Sequence, residues 1–520
     1  MTLPGPARHA AAPVARAPGH LAGGHPRADG GRPAIRLTRA AARPLRALRA
    51  GAARRPWLTA WLAFAPVPVL RAGTLAEADT FWQIRAGLIT FSRGAIPATD
   101  TFTWTVAGRP WTLNSWGFNV GLALTYRIGG LPAVAWACAA LAMAIAGQAL
   151  LLARRLGASP VVAGACLLLA SPLLVGWLTA RPQLADYVAF LLLVLLLRRI
   201  TSAGGSWRLV AAAGGLSALW VNLHAGALLG VAVAAAAALA LLALGCRRAA
   251  LWCLAAASAS LAGSFLSPYG TGVIGQTAQV QADSAGLIVE WQPFNPASPI
   301  DDITALIGMW ALAVAVRRRD APLAAALGVA AASSALAIRM LPFLALIAVP
   351  TVASALSDPG PAVLRYARSR CTMFRRCGAA GLAALAVVAL PSLAHIGRPD
   401  LAKYPVTIAG DIPRGCKVFS TDLIGGYLIL ARPDVLVSLD TRNTLYGRRR
   451  LLALERVIAG RGDLARGLAG AGCVLVPPSS GLAVRLRSDH AWELRASDPP
   501  AGVLYVRRRQ RVATGEITDS

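Results

Sequence analysis

The feature that most constrains this chain is a succession of long apolar runs with little polar sequence between them. A first run from Trp57 to Leu70 is followed by others near 131–153, 159–179, 184–197, 208–223, 225–245, 249–266, 303–316, 321–338, 340–356 and 378–396. A helix needs about 20 residues to cross a bilayer, so the shorter runs borrow from their flanks or tilt, and about eleven spans are predicted. Composition agrees. The 520 residues are 56% hydrophobic and 14% charged, with mean hydropathy +0.56, whereas a soluble protein carries roughly a quarter charged residues. The expected fold class is an α-helical polytopic membrane protein of about 11 transmembrane helices with a small C-terminal extracytoplasmic α/β domain.

Sidedness follows from the basic residues. Arg154-Arg155, Arg198-Arg199, Arg247-Arg248, Arg317 to Arg319 and the group from Arg365 to Arg376 punctuate alternate gaps. All of them fall inside if the N-terminus is cytoplasmic, as the positive-inside rule requires. The net charge of +29 is concentrated in part at residues 1–55, which hold eleven Arg against Asp29 alone. That stretch reads as a disordered basic cytoplasmic tail near anionic lipid rather than a nucleic-acid surface. It is too long for the n-region of a signal peptide, and the run that follows reads as an uncleaved anchor. Lys occurs only at 403 and 417, and an Ala- and Arg-rich, Lys-poor chain fits a GC-rich bacterial genome. The expected location is a bacterial plasma membrane.

With that topology the acids sort by side. Between 56 and 396 only Asp320 and Asp358 map inside. Glu77, Asp79, Asp100, Asp186, Asp283, Glu290, Asp301 and Asp302 map to the outer face or to the outer ends of spans. Three domains are expected: the tail 1–55, a transmembrane domain 56–396 with a long first outer loop 77–116, and an extracytoplasmic α/β domain 397–520. In the last, "CKVFS", "GYLILA", "VLVSLD", "CVLVPP" and "GVLYVRR" read as strands, and "RRRLLALERVIAG" as a helix ending on Gly460. Cys416 and Cys473 lie in a compartment that permits a disulfide, with buried strand thiols as the alternative.

Several polar residues at the outer ends need a reason, because ionisable groups at membrane depth line cavities or pair with each other. Arg181 lies in "LTARPQLAD", Asn222 and His224 in "ALWVNLHAG", Tyr269 in "SFLSPYG", Glu290 in "IVEWQPFNP" and Arg339 in "AIRMLPF". Arg181 and Arg339 could bind an anionic ligand, or could snorkel or pair with Asp186 or Glu290. Asn222 and His224 could serve a ligand or bond between helices. Trp82, Trp104, Trp111 and Trp116 could form an interfacial belt. Glu77 and Asp79 repel each other unless a cation or a proton lies between them. Nucleotide-binding, GxSxG and HExxH motifs are absent.

These residues resemble the GT-C superfamily of polytopic glycosyltransferases, and more closely a group of uncharacterised bacterial GT-C-like membrane proteins. The first loop of that group matches "EADTFWQ", Gly87, "GAIPATDTFT", "GRPW" and Trp116. "WVNLHAG", "SPYG", "VEWQPF", "RMLPF", "GGYLI" and "LDTRNTLYG" follow in order, so the resemblance covers nearly the whole chain outside the tail. Glu77 replaces the usual first Asp, and Gln83 stands where His is common, which removes any acid/base role there. The resemblance implies transfer of a sugar from a polyprenyl-phosphate donor to an unidentified acceptor on the extracytoplasmic face. Asp79 would be the base, with Glu77 tuning it or sharing a divalent cation, a cofactor otherwise unassigned. Arg181 and Arg339 would face phosphate with His224 as a further donor. Trp82, Trp111 and Trp116 would contact sugar or prenyl chain, with Asn222, Glu290 and Tyr269 completing the substrate site. The rival readings are a non-catalytic scaffold or assembly protein on the same frame and a lipid or solute transporter.

Overall fold

The computed structural model describes residues 54–284, 286, 288–358 and 371–508. Residues 1–53 of the expected tail and Arg365, Arg368 and Arg370 of the basic group lie outside them. Helices cover each of the apolar runs, but the first run is split into Pro56–Leu62 and Pro66–Ala72 and the run near 159–179 into Pro160–Leu169 and Ser171–Val175. The sequence explains many of the boundaries. Prolines 160, 299, 322 and 342 stand in the first turns of their helices, where a missing N–H costs nothing. Ser159, Ser206 and Asp320 accept a hydrogen bond from the backbone N–H three residues on, which caps the helices they precede.

The helix Trp116–Arg155 is in fact two, because Gly129 and Gly130 leave helical geometry and Gly130 takes φ of 64° ahead of Pro132. Leu341–Ser357 is at the centre of the helical layer, with every residue from Leu341 to Ser354 buried. Among the described residues, Trp116–Arg155, Pro299–Arg317 and Ile338–Ser357 are long and apolar enough to cross a membrane. Helices such as Ala227–Ala243 and Ala321–Leu336 are apolar but shorter.

The helix ends fall into two groups of contacts. Arg198 pairs with Asp320 at 2.8 Å, Ser159 N–H donates to Ser357 Oγ, and Arg318 reaches Ser354. These residues come from gaps assigned to one side by the basic residues. The gaps assigned to the other side hold the contacts described in the next subsection.

Residues 77–116 are not a simple loop. Ala78–Arg93 is a helix with Phe81, Trp82, Ile84 and Ala86 buried, ended by Gly94 at φ of 64°. Gly87 lies so close to the helix beginning at Trp116 that a Cβ there would sit 2.0 Å from the carbonyl oxygen of Asn119. Only glycine permits that approach.

Residues 397–508 contain a five-stranded sheet of β3 (Lys417–Ser420), β4 (Leu436–Val437), β5 (Cys473–Val476), β6 (Trp492–Asp498) and β7 (Gly502–Arg507), in the order β4-β3-β5-β7-β6. β3 runs parallel to β4 and β5, and β7 is antiparallel to β5 and β6. A short parallel pair, β1 (Thr74–Leu75) and β2 (Arg398–Pro399), ties the start of this region to the first helices. "GYLILA" is not a strand. It belongs to the helix Asp422–Ala431, capped by Thr421, whose hydroxyl accepts the N–H of Ile424. "VLVSLD" contributes only two strand residues, and β6 was not expected from sequence. Cys416 and Cys473 form a disulfide joining the entry of β3 to β5.

The sheet is extended by the segment after Ala78–Arg93. Thr103 bridges in parallel to Val437, Trp104 N–H donates to Val437 O, and Val437 N–H donates to Phe102 O. Trp104 Nε1 reaches Val418 O, and Thr105 Oγ1 reaches Ser438 O. Residues 102–105 thus cover the edge at β4, which would otherwise expose unpaired backbone groups. Phe81 packs edge-on against Tyr404 and Tyr427, and a Cβ on Gly426 would touch Ala78 O at 3.0 Å. From Arg55 onward the chain is one unit in its contacts.

Candidate functional site

Glu77 and Asp79 occupy the N-cap and first turn of the helix Ala78–Arg93, where the partial positive charge of the helix end favours carboxylates. Between them and a third acid lies Arg181, from the turn before the helix Gln183–Ser202. Its Nη2 is 2.6 Å from Glu77 Oε2, its Nη1 2.6 Å from Glu290 Oε1, and its Nε 3.6 Å from Asp79 Oδ2. Arg71 adds a 3.2 Å contact to Glu77 Oε1. Burial works against the charge on Arg181, but Asp79, Glu77 and Glu290 outweigh it and raise its pKa, so the guanidinium stays ionised. These side chains keep between 19% and 32% exposure, so the cluster is open to a ligand.

Asp79 is held asymmetrically. Its Oδ1 accepts the Trp82 indole N–H at 3.1 Å and a short hydrogen bond from the hydroxyl of Thr441. Trp82 Nε1 also lies 3.0 Å from Thr441 Oγ1. Oδ2 makes only the longer approach to Arg181. Nearby, the buried hydroxyl of Tyr404 has no hydrogen-bond partner among the described residues. Burial, followed by the charges of Glu77 and Asp79, raises its pKa, so it remains a protonated donor.

Thr441 is set by its neighbours. Arg442 is buried and forms 2.7 and 2.6 Å bridges to Asp100 and Asp440. Tyr446 donates its hydroxyl to Asp440 Oδ2 at 2.8 Å. The guanidinium also lies 4.4 Å from the Trp111 ring centre and 4.9 Å from that of Phe102. Burial opposes the Arg442 charge, yet Asp440, Tyr446 and Asp100 together raise its pKa. Asp100 further accepts the N–H groups of Phe102 and Thr103 and the Thr103 hydroxyl. Asp100 therefore pins its own loop to the sheet domain.

A second group lies on the neighbouring helix ends. Asp186 is buried in the first turn of Gln183–Ser202, where Trp220 Nε1 donates to Oδ1 at 2.6 Å and His224 Nδ1 meets Oδ2 at 2.5 Å. His224 ends the helix Trp207–Leu223, and Nε2 has no partner among the described residues. Arg339 stacks 4.2 Å from the ring centre of Trp291 and lies within electrostatic reach of Glu290 and Asp186. An apolar groove of about 320 Å³ is lined by Phe118, Leu122, Leu141, Val188, Trp220 and Leu223, so its wall includes the indole that holds Asp186.

The structure thus links Glu77, Asp79, Arg181, Glu290 and Trp82 by direct contacts, with Arg339 within electrostatic reach of Glu290 and Arg181, while His224 is held by Asp186. Trp111 lies on Arg442 rather than at the carboxylates. Trp116 donates Nε1 to Asn222 Oδ1 at 2.9 Å, and Asn222 in turn donates to Leu266 O. Tyr269 exchanges hydrogen bonds with the backbone N–H and C=O of Leu113. These three tie the segment 111–116 to the helix ends. Sequence reading assigned no role to Thr441, Arg71 or Tyr404. "LDTRNTLYG" was the only signal for Thr441.

No protein-family description matches the chain, and no curated protein matches it. Among solved structures, the apo-form crystal structure of the Archaeoglobus fulgidus oligosaccharyltransferase is similar at 12% identity and a TM-score of 0.49. The match covers 81% of this chain and 69% of that one. A likeness of that strength assigns neither fold family nor activity.

Proposed function

We propose that this chain is a membrane glycosyltransferase that moves a sugar from a polyprenyl-phosphate donor to an acceptor hydroxyl on the extracytoplasmic face of a bacterial plasma membrane. The observation that carries the reading is the asymmetric hold on Asp79. One oxygen is fixed by Trp82 and Thr441 while the other keeps an open lone pair beside Arg181. A general base needs that combination of fixed direction and a free acceptor atom.

In this reading Asp79 Oδ2 takes the proton of the acceptor hydroxyl as its oxygen bonds to the anomeric carbon. The bond from that carbon to the phosphate oxygen breaks, and the phosphate leaves with the electron pair. Phosphate leaves without protonation, so the requirement is for cations facing it. Arg339 has no hydrogen-bonded partner among the described residues and stacks on Trp291, and His224 Nε2 is left open while Nδ1 meets Asp186; both are assigned to the phosphate. The prenyl chain takes the apolar groove that reaches Trp220. About eleven spans and an outer C-terminal domain complete the arrangement.

The test is turnover of a polyprenyl-phosphate sugar by purified protein without an ion gradient. Asp79→Asn should remove it while the protein stays folded, and full activity in that variant would end the assignment. A specific observation favours the scaffold reading as runner-up, since Arg181 is already engaged by acids of the chain itself. No turnover with any polyprenyl-linked sugar would select it.

A further inference from the structure

The acidic motif carries its own cation. Glu77, Asp79 and Glu290 come from two separate segments and converge on one guanidinium. Three carboxylates so close would repel one another unless a positive charge stood among them. In many sites of this acidity the charge is a divalent ion, which asks for several oxygens directed at one point at about 2.0–2.6 Å.

The residues present do not offer that set. Glu77 has neither oxygen free, Oε1 being engaged by Arg71 and Oε2 by Arg181. Asp79 Oδ1 already accepts from Trp82 and Thr441. Asp79 Oδ2 and one oxygen of Glu290 remain, and the Arg181 guanidinium lies between their side chains. Among the described residues no group of three His, Cys, Asp or Glu side chains is placed to hold a metal. The centre of the cluster is filled by a group whose charge is permanent and whose planar fork meets carboxylates on two edges.

We propose that Arg181 is the resident counter-cation of the Glu77–Asp79–Glu290 cluster, in the position a divalent ion would otherwise take, and that sugar transfer here needs no metal. The second half rests on the transferase reading; the first does not. Arg181 neutralises Glu77 and Glu290 and leaves Asp79 with the longest of its contacts, which keeps that carboxylate available. Removing the guanidinium should leave three converging acids with only Arg71 in contact and Arg339 at longer range of Glu290, and so create a cation site that the native chain lacks.

The experiment is a Mn²⁺ titration of the full chain in lipid nanodiscs, read by electron paramagnetic resonance. Wild type should bind no stoichiometric Mn²⁺, Arg181→Ala should gain one bound ion per chain, and Arg181→Ala with Glu77→Gln should lose it. A stoichiometric ion in wild type that Glu77→Gln removes would overturn the proposal, as would a folded Arg181→Ala that binds none. If Arg181→Ala does not fold, Arg181→Met takes its place, and the wild-type titration with Glu77→Gln as its control decides without any change at Arg181. Turnover in EDTA separates the two claims. Activity retained supports metal independence, and activity lost but restored by Mn²⁺ refutes it. No turnover under either condition refutes the transferase reading alone, while the titration still decides the place of Arg181.

Discussion

Thr441 gives its hydroxyl to Oδ1 of Asp79 across 362 residues of sequence. The sheet domain is thereby part of the acidic site, not a separate attachment to it. If Asp79 is the base, Thr441 positions it. Thr441→Val should lower kcat/KM roughly tenfold to a hundredfold, the range expected for one hydrogen bond to a charged group. Thr441→Ser should restore most of the loss because it keeps the hydroxyl. The fold should be unchanged by circular dichroism in both. Equal loss in the Val and Ser variants would show that the methyl packing matters and the hydrogen bond does not.

Arg442 holds the loop from which Thr441 projects, and its partners Asp100 and Asp440 are buried with it. Replacing it by Met leaves two buried carboxylates without their cation, a change that costs about 3–5 kcal/mol. The thermal midpoint should fall accordingly, and Asp440→Asn added to Arg442→Met should recover part of the loss. The same variants should release residues 102–105 from the edge at β4, seen as faster amide exchange at Trp104 and Val437. Unchanged exchange there would separate the ion pairs from the sheet extension.

How much of this could be read from sequence depends on whether the signal was local. The apolar runs gave the helices because a continuous apolar stretch of that length is a signal contained in neighbouring residues. Glu77, Asp79 and Arg181 stood out because charges are rare at such positions, and the structure joins them. "GYLILA" misled because its apolar residues suit strand and helix alike, and the deciding feature was the Thr421 cap. β6 was missed although "WELRASD" alternates Trp492, Leu494 and Ala496 with polar residues, because the run is short, rich in charge and leaves most of its side chains exposed. Thr441 was marked only by its place in "LDTRNTLYG", which gave it no role. A threonine in a loop acquires its meaning only from what the fold brings to it.

Gly87 and Asn119 mark a close approach of two helices. A Cβ at 87 would lie 2.0 Å from a backbone oxygen, which cannot move as a flexible side chain could. Gly87→Ala therefore pushes the helix Ala78–Arg93 away from the one beginning at Trp116 and takes Asp79 with it. The expected cost is about 1–3 kcal/mol of stability, the usual range for overpacking. Activity should fall further than stability alone explains. Thermal unfolding in detergent beside a turnover assay would read both, and an active, fully stable Gly87→Ala variant would contradict the close approach.

The disulfide between Cys416 and Cys473 closes a loop with a sequence separation of 57 residues. It joins the entry of β3 to β5, two strands that already pair through Val418 and Cys473. Its contribution is therefore mainly to limit the unfolded chain, which for native bridges amounts to about 2–4 kcal/mol. The double variant Cys416→Ser, Cys473→Ser should unfold at lower temperature while the helical layer keeps its far-ultraviolet signal. Because Thr441 follows β4 on the edge of the same sheet, loss of the bridge should also loosen the hold on Asp79. Mass spectrometry of the non-reduced protein should recover a Cys416–Cys473 cross-linked peptide. Free thiols at both positions would contradict the pairing, and they would also weigh against an oxidising location for this domain, since such bridges persist where thiols are not kept reduced.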